Sequence, residues 1–402
     1  MRITYQYRLR LTQKQIDTFE HWLELCRRQY NYRLAERFNW WEQNRCDVNR
    51  CSIVCCSIAP LKDQPNRWSQ QKDLANTKAI FPEYEELVSH TLQDVIARVD
   101  KTFGRWLKGD CNRKKSGRPR FKGKGRYRSL TFPDPVKPEH IQGNLIQLPK
   151  IGKVKAILHR PIPNGFKIKR ATITRKANGW YIGFNLEDMT VPSLITDVIP
   201  TPDNTVGIDL GLKSFLVTSG NQTINIPQYY RKAEKRLKRL QRQLSRKHMG
   251  SNRRKKAAKR VAKTHLKVAN QRKDFHYKTA LWLLNQSQVI AHEKLNIKGL
   301  VKSKLAKSIT DAGWGQFLQI LNIKAASAGC LVVAVNPYGT SQECSDCGAI
   351  VPKVLADRWH YCQCGASYDR DHNAARNIKH RAAGHPVLLK AREMSNPLGG
   401  VT

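Results

Sequence analysis

The sequence predicts a multidomain protein of the α+β class. Its 402 residues are enough for two or three domains with separate hydrophobic cores. Apolar and polar residues alternate at the N-terminus and again between residues 140 and 190, which indicates strands, and helical spacings lie between these two regions. After Thr205, short apolar strands alternate with helices, and such buried strands are typical of a parallel sheet.

The N-terminal part is predicted to open with a strand, Ile3 to Leu11, followed by a helix over Lys14 to Asn44. A loop is predicted over Asp47 to Asn66, and a second helix over Tyr84 to Leu107. Two interpretations fit the cysteines near this loop, an extra zinc site or plain loop and core residues. These cysteines are Cys46, Cys51, Cys55 and Cys56.

The short strands predicted between residues 140 and 190 are broken by Gly, Pro and Asn, which indicates a small β-barrel or sandwich. The segment from Val191 to Asn204 has the composition of a linker. Beyond it, buried strands are predicted after Thr205, in SQVIAHEKL and in CLVVAVNP, with a helix near Trp314 to Ala328.

The chain is strongly basic, with 72 Lys and Arg against 31 Asp and Glu and a formal charge of +41. Such a protein repels itself when compact, so a polyanionic partner is expected, and nucleic acid fits best. The alternative is a basic surface that is merely solvated. The cations are segregated into two segments, however, which favours a nucleic-acid partner.

The first basic segment, residues 101–128, has twelve Lys or Arg and one acid. It leads into GRPRFKGKGRYRSLTF, where aromatic rings can stack on bases while cations hold the backbone. A basic loop before a strand with core aromatics is an equally good interpretation. The candidate contacts here are Arg118, Arg120, Lys122, Arg126 and Tyr127.

The second basic segment, residues 231–273, has nineteen Lys or Arg and one acid, Glu234. Its apolar residues fall at helical spacing on both sides of a break at His248 to Asn252, which predicts a helical hairpin. Its surface is either a phosphate-contacting face or a solvated one. The candidate contacts here are Arg253, Arg254 and Lys255.

No apolar run approaches the roughly 18 residues that cross a bilayer, and the first residues lack the apolar core of a signal peptide. A cytosolic protein with reduced cysteines and no membrane partner is therefore expected. Cysteine spacing is then informative about metal rather than disulfides. C-x-x-C over Cys344 and Cys347, and C-x-C over Cys362 and Cys364, predict one structural Zn²⁺. Because the second pair is unusually tight, His360 is an alternative ligand to Cys364.

Acidic residues are rare in the basic second half, and two of them lie in apolar strands. Asp209 lies in Val-Gly-Ile-Asp-Leu-Gly, and Glu293 ends Val-Ile-Ala-His-Glu. Burying a carboxylate is costly unless a cation compensates it. In YDRDHN, one Asp at a helix start is expected to cap it, with Asp369 as the cap and Asp371 as the metal ligand. Together these carboxylates fit phosphodiester hydrolysis with two Mg²⁺ ions, although each alone has an ordinary structural explanation.

The ordered strings GIDLGLKSF, HEKLNIKGL and YGTSQECSDCG…CQCGASYDRDHNAARNI resemble the TnpB proteins of insertion sequences, and type V CRISPR effector nucleases are similar in the same region. The upstream GRPRFKGKGRYRSLTF also resembles the family's middle segment. The resemblance implies an RNA-guided DNA endonuclease encoded by a transposon. It implies a catalytic triad on Asp209, Glu293 and Asp371, with two Mg²⁺ ions or Mn²⁺ as a substitute. The implied partners are a noncoding guide RNA and target DNA, double-stranded and single-stranded.

The resemblance also implies an RuvC-like, RNase H-type nuclease domain with an inserted zinc ribbon, and a wedge-type β-barrel interrupted by a helical recognition insert. The implied boundaries are the barrel at 1–10 and 112–195, the insert at 11–111, the linker at 196–204, the nuclease domain at 205–338 and 366–384 with its basic hairpin at 229–285, the zinc ribbon at 339–365 and a flexible tail at 385–402. Two other functions remain open: an RNA-guided repressor that does not cleave, and an RNA-independent nuclease of the same fold. The location expected for such a protein is the prokaryotic cytoplasm, at the nucleoid when bound to DNA.

Overall fold

The computed structural model describes residues 2–45, 63–110, 112–133, 136–188, 198–354 and 357–384. The chain divides into two compact units, Met1–Val191 and Pro192–Thr402, here called the N-terminal and C-terminal units. Cys46, Cys51, Cys55 and Cys56, residues 191–197 of the predicted linker and the tail after Gly384 lie outside the described residues. Within the described ranges, none of the helices combines the length and apolar content needed to cross a bilayer.

The N-terminal unit is built on an antiparallel sheet of seven strands. Its strands are β1 (Arg2–Arg10), β2 (Ser129–Phe132), β3 (Ile141–Gln142), β4 (Leu145–Leu148), β5 (Gly152–Ile157), β6 (Lys167–Lys176) and β7 (Gly179–Glu187). The strand order is β2-β6-β7-β1-β5-β4-β3. The first strand of the chain is therefore central, and it pairs antiparallel with both β7 and β5. This confirms the strands that alternation predicted at the N-terminus and between residues 140 and 190.

The described residues of the N-terminal unit include the α-helices α1 (Gln13–Arg45), α2 (Arg67–Lys72), α3 (Leu74–Ile80) and α4 (Ser89–Leu107). The predicted first helix is confirmed, while α4 begins five residues later than Tyr84. Residues Pro82–Glu86 form a 3-10 turn, and Leu87 after it is extended, which ends one helical segment before the next begins. Leu87 is nevertheless buried, so its place in the apolar pattern reflects the core and not the helix.

The C-terminal unit contains a mixed five-stranded sheet. Its strands are β8 (Thr205–Asp209), β9 (Ser214–Thr218), β10 (Thr223–Asn225), β11 (Val289–Glu293) and β12 (Leu331–Val335), in the order β10-β9-β8-β11-β12. β8, β9 and β10 pair antiparallel, and β8, β11 and β12 pair parallel. The central strand β8 thus joins the antiparallel and parallel halves.

Helices and a small two-stranded sheet complete the C-terminal unit. They are α5 (Tyr229–Ser245), α6 (Asn252–Leu284), α7 (Ile297–Leu300), α8 (Ala306–Ala312), α9 (Trp314–Ala328), β13 (Trp359–Tyr361), β14 (Ser367–Asp369) and α10 (Arg370–Ala383). The predicted basic hairpin is α5 and α6, and the predicted helix at Trp314 to Ala328 is α9. Phe215 of β9 and Phe317 of α9 pack in a buried apolar core, with ring centroids 5.0 Å apart.

Candidate active site and metal centre

Two of the predicted carboxylates end neighbouring parallel strands. Asp209 is the last residue of β8, and Glu293 is the last residue of β11. In the register of this pair Ile208 lies opposite His292, so the next residue of each strand leaves the sheet at the same edge. The carboxyl ends of parallel strands meet at one edge, which is where functional side chains of such sheets commonly lie.

Helix α10 brings the third carboxylate to this edge because it packs closely on β8. Gly207 makes this approach possible. A Cβ on Gly207 would lie 2.1 Å from the carbonyl oxygen of Ala375 and 2.6 Å from the backbone nitrogen of Lys379. At the start of the helix, the Oδ2 atom of Asp371 lies 4.0 Å from the position of a Cβ on Gly211, just after β8.

The charges of Glu293 and Asp371 act on the ionisation of Asp209. Burial raises the pKa of Asp209 to about 8, with further upward contributions from the negative charges of Glu293 and Asp371. The Arg370 guanidinium opposes this rise without cancelling it. A bound cation relieves the repulsion between carboxylates that lie close together in a partly buried site.

Glu293 is held by a threonine outside the predicted triad. Thr340 is buried, and its hydroxyl donates to the Oε1 atom of Glu293 at 2.5 Å. Burial raises the pKa of Glu293, while this hydrogen bond and the charge of Arg381 lower it in part. The contact leaves the second carboxylate oxygen, Oε2, for other ligands.

At the start of α10, Asp369 caps the helix, as the sequence predicted, and Asp371 lies in the first turn. Asp369 is the N-cap residue, and its Oδ1 accepts the backbone N–H of Asp371 at 2.9 Å. Asp371 lies in the first turn, where the positive end of the helix dipole favours a carboxylate. Its side chain is 14% exposed and lies 3.6 Å from the Nε atom of Arg370. The role of Asp371 as a metal ligand stays a prediction at this point.

The four predicted cysteines converge into one cluster. The Sγ atoms of Cys344, Cys347, Cys362 and Cys364 all lie within 4.8 Å of one another. The distance is 3.7 Å between Cys344 and Cys364, and 3.6 Å between Cys347 and Cys362. Zinc with four Zn–S bonds of about 2.3 Å requires sulfurs roughly 3.8 Å apart. The spacing of the sulfurs is therefore compatible with a four-thiolate zinc site.

Cys364, rather than His360, lies with the other three cysteines in the cluster. The C-x-C pair closes because the backbone N–H of Cys364 points at the Cys362 sulfur, a contact that lowers the pKa of Cys362 to about 7. His360 is buried away from the solvent, and its Nδ1 accepts a hydrogen bond from the Lys353 ammonium. Among the described residues, the group of potential metal ligands here contains the four cysteines without His360.

Two asparagines that the sequence analysis missed connect the cysteine loop to α10. The Asn373 side chain donates to the Glu343 carbonyl at 2.7 Å and accepts the Ser345 N–H at 3.0 Å. The Asn377 side chain donates to the carbonyls of Thr340 and Glu343 at 2.8 and 2.6 Å. Two Asn residues four apart, beside buried Ala and Ile, were the available sequence signal for this polar contact.

The candidate nucleic-acid residues of the N-terminal unit differ in accessibility. Tyr127 is 7% exposed and packs in the core against Tyr30 and Arg98, so its ring is not available to stack on a base in this conformation. This supports the core interpretation for Tyr127. Arg118 pairs with Glu42 at 2.6 Å. The exposed cations of the segment include Arg120 and Arg126, while Lys122 is half-buried with its ammonium near the Tyr30 ring.

The three candidates of the basic hairpin also differ. The Arg254 guanidinium donates to the carbonyls of Leu244 and Lys247 at 3.1 and 2.9 Å, at the end of α5, so it has a structural partner at the turn. Arg253 is exposed, and Lys255 is exposed with its ammonium 3.3 Å from the Asn252 side chain. The exposed pair is better placed than Arg254 to contact a phosphate.

Three family models match separate regions of this chain. Residues 191–304 match a family described as "Probable transposase". Residues 314–378 match the "Cas12f1-like, TNB domain", and residues 1–46 match a "Helix-turn-helix domain". A solved Cas12f1-sgRNA-target DNA complex has a chain of similar fold, with a TM-score of 0.52 and 15% identity over 92% of this chain and 83% of that one.

Curated relatives extend the match to most of the chain. A Streptomyces pristinaespiralis protein named "Putative RNA-guided DNA endonuclease" is 36% identical over 223 residues, which is 54% of each chain. The chain thus spans about half the length of that relative. The Escherichia coli (strain K12) protein named "Putative RNA-guided DNA endonuclease InsQ" is 31% identical over 318 residues, which is 75% of each chain. The chain belongs to the TnpB family of transposon-encoded RNA-guided DNA endonucleases.

Proposed function

We propose that this chain is an RNA-guided DNA endonuclease whose nuclease site is formed by Asp209, Glu293 and Asp371. The observation that carries the proposal is the convergence of three carboxylates at one sheet edge in a chain with a net charge of +41. The names of the relatives supply the reaction and its guide. The chain itself supplies the acidic centre and the basic surface that such a reaction requires.

The sheet of the C-terminal unit supports an RuvC-like, RNase H-type assignment for the nuclease domain. Three antiparallel strands followed by two parallel ones, in the order β10-β9-β8-β11-β12, are the arrangement expected of that fold. In it, the first strand and the fourth strand both end at the active site. Asp209 and Glu293 occupy these two positions.

The donor set fits divalent cations with a preference for oxygen. Asp209, Glu293 and Asp371 offer up to six carboxylate oxygens, and Mg²⁺ and Mn²⁺ are bound in proteins by such ligands. When bound, a pair of these cations supplies Lewis acidity for an attacking water and for the leaving 3′ oxygen. We assign to this site two Mg²⁺ ions, for which Mn²⁺ can substitute, and to the cysteine cluster one structural Zn²⁺.

Residues of the chain itself set the protonation and the orientation of the carboxylates in this site. Asp209 holds a proton up to a pKa of about 8, and we expect it to release that proton when its oxygens become ligands. Thr340 fixes one oxygen of Glu293, and the Asp369 cap fixes the backbone at Asp371. The four thiolates use every position of a tetrahedral zinc, which leaves none for a water molecule, so zinc is assigned no part in hydrolysis.

The remaining parts of the chain are assigned to guide and target binding. The sheet of the N-terminal unit would be the wedge-type barrel, and α1 to α4 the recognition insert. The α5–α6 hairpin and the exposed cations of residues 101–128 would contact the phosphates of the guide RNA and of the target DNA. The domain boundaries stated from the resemblance belong to this proposal.

Cleavage by an Asp209→Ala variant tests the proposed site. Chain purified with the RNA of its native locus is offered a target that matches the guide beside a randomised flank. We expect the parent to cut and Asp209→Ala to retain guide RNA while cleavage falls to background. Asp274→Ala is the matched control, because Asp274 is 63% exposed in an ion pair with Lys278. Parental cleavage by Asp209→Ala would refute the site.

The same preparation separates the two competing functions. A parent that binds the matched target without cutting it, at any Mg²⁺ or Mn²⁺ concentration, would be a repressor. A parent that carries no discrete RNA and cuts without one would be an RNA-independent nuclease. A discrete RNA together with guide-matched cleavage supports the proposal.

A further inference from the structure

The Glu293 carboxylate is held in place from outside the triad. Thr340 donates its hydroxyl proton to Oε1 of Glu293 at 2.5 Å, and the same hydroxyl lies 3.3 Å from the Pro337 carbonyl. A hydroxyl has one proton to donate, and an ionised carboxylate is the stronger acceptor of the two. When Glu293 is ionised, this hydrogen bond fixes the rotation of its carboxylate plane.

Thr340 is itself fixed through its backbone. Its side chain is buried, with 4% of the residue exposed, and its carbonyl accepts a hydrogen bond from the Asn377 amide at 2.8 Å. Asn377 belongs to α10, the helix that also contains Asp371. The Asn377 side chain therefore fixes the loop that contains Thr340, and Thr340 in turn contacts Glu293. Helix α10 thus positions both Glu293 and Asp371.

The cysteine cluster lies at the other end of the loop that contains Thr340. Cys344 follows Thr340 by four residues and is buried. Between them, the Glu343 carbonyl accepts hydrogen bonds from Asn373 and Asn377. After Cys344, the Asp346 carboxylate pairs with Arg376 of α10 at 2.7 Å and accepts the Tyr368 hydroxyl at 2.7 Å. The cluster is thus joined to α10 by polar contacts on both sides of Cys344.

We propose that Thr340 is a positioning residue that orients Glu293 for cation binding, and that the four-cysteine cluster acts on the carboxylate site by holding the Thr340 loop against α10. This inference rests on the proposed function, because it needs a cation at Asp209, Glu293 and Asp371. Partners that orient a metal ligand typically change metal affinity by about 10- to 100-fold when removed.

Manganese binding to the full chain tests the role of Thr340 without any cleavage assay. Zinc-loaded protein free of nucleic acid is titrated with Mn²⁺ alone, and free Mn²⁺ is measured by its electron paramagnetic resonance signal. Nucleic acid is left out because its phosphates bind Mn²⁺ themselves. Thr340→Val keeps the shape of the side chain and removes the hydroxyl, while Thr340→Ser keeps the hydroxyl.

We expect Thr340→Val to weaken Mn²⁺ binding by about 10-fold and Thr340→Ser to stay close to the parent. Zinc content and thermal midpoint, measured on the same samples, should be equal in both variants and the parent. A purely structural role for Thr340 would lower the thermal midpoint and leave Mn²⁺ affinity unchanged. Parental affinity in Thr340→Val, or equal weakening in Thr340→Ser, would overturn the assignment.

Two further samples distinguish failure of this inference from failure of the proposed function. Asp209→Ala should lose the Mn²⁺ site, and parental Mn²⁺ binding in this variant would refute the proposed site and the inference with it. If Asp209→Ala loses the site while Thr340→Val binds like the parent, only the inference fails. Chelation of zinc from the parent should weaken Mn²⁺ binding, and unchanged affinity after zinc loss would overturn the role given to the cluster.

Discussion

At the scale of single residues, the proposed nuclease site places carboxylates close together in a buried environment, where water cannot solvate their negative charges. Asp209 is the centre of this effect, since burial and the charges of Glu293 and Asp371 together raise its pKa to about 8. The unfolded chain releases the same proton near pH 4. Between these values the folded state binds the extra proton, so its stability falls as the pH rises through this window. Cation binding removes the penalty by compensating the charge.

This charge crowding predicts that Asp209→Asn stabilises the chain when no divalent cation other than zinc is present. At pH 9 the parent carries an ionised Asp209 and the variant does not, so the thermal midpoint of Asp209→Asn should be higher. The expected gain is about 2–4 °C for each kcal/mol of repulsion relieved. As the pH falls from 8 towards 4, the two midpoints should approach each other.

Thermal melts at pH 5.5, 7 and 9 measure this difference, and Asp274→Asn is the control because Asp274 is an exposed partner of Lys278. If the thermal midpoint of Asp209→Asn equals that of the parent at every pH, the negative charges of Glu293 and Asp371 do not destabilise ionised Asp209.

The sequence could reveal Asp209 and Glu293 because a carboxylate ending an apolar strand is a local anomaly, visible without any fold. No comparable anomaly in the sequence points to Thr340, Asn373 or Asn377. A threonine in a loop and two asparagines on a short helix are ordinary residues in sequence. Their contacts join residues 28 to 47 positions apart, which only the folded chain brings together.

At the scale of elements, the site depends on how closely α10 packs on β8. This packing is possible because residue 207 has no side chain, since a Cβ there would meet helix backbone at 2.1 Å. Backbone cannot swing aside as a flexible side chain does. The helix that contains Asp371 is therefore positioned by a glycine on the strand that ends in Asp209.

Gly207→Ala should displace α10 and separate Asp371 from Asp209. Overpacking of this kind costs about 1–3 kcal/mol, and a displacement of about 1 Å at a reacting centre costs roughly 100-fold in rate. We expect a lower thermal midpoint and a cleavage rate reduced by about that factor. Gly220→Ala is the matched control, because its Cβ would meet the Thr218 hydroxyl at an ordinary 3.8 Å. Parental cleavage by Gly207→Ala would contradict the packing argument.

Elements with strong periodicity were predictable, and elements defined by tertiary contacts were not. The strands β6 and β7, the hairpin of α5 and α6, and helix α9 follow directly from alternation or helical spacing in the sequence. The start of α4 was predicted too early because buried Leu87 continues the apolar pattern while its backbone is extended. The side-by-side pairing of β8 and β11, which are about 80 residues apart, is a tertiary contact that no local pattern in the sequence predicts.

At the scale of the whole molecule, the excess of 41 positive charges supports the proposed binding of nucleic acid. Most cations of residues 231–273 lie on α5 and α6, and those that are exposed can replace counterions on phosphates. Arg253 is exposed, whereas the Arg254 guanidinium closes the turn between α5 and α6. Neighbouring arginines in one basic segment therefore have different roles.

The salt dependence of RNA binding should separate these two arginines. Arg253→Gln should reduce the slope of log affinity against log salt by roughly 0.7–0.9, the value for one phosphate contact, with an unchanged thermal midpoint. Arg254→Gln should leave the slope near the parental value and lower the midpoint, because the carbonyls of Leu244 and Lys247 lose their donor. Filter binding between 0.1 and 0.4 M salt measures both slopes, and the reverse pattern would contradict the assignment.

The central claim is that three acids distant in sequence bind a shared pair of cations. Anomalous diffraction from crystals of the guide-bound chain with target DNA and Mn²⁺ tests it most directly. If the site is as proposed, two manganese peaks about 4 Å apart will appear, ligated by Asp209, Glu293 and Asp371. Manganese bound elsewhere beside the target strand, with these three carboxylates outside its ligand shell, would contradict it.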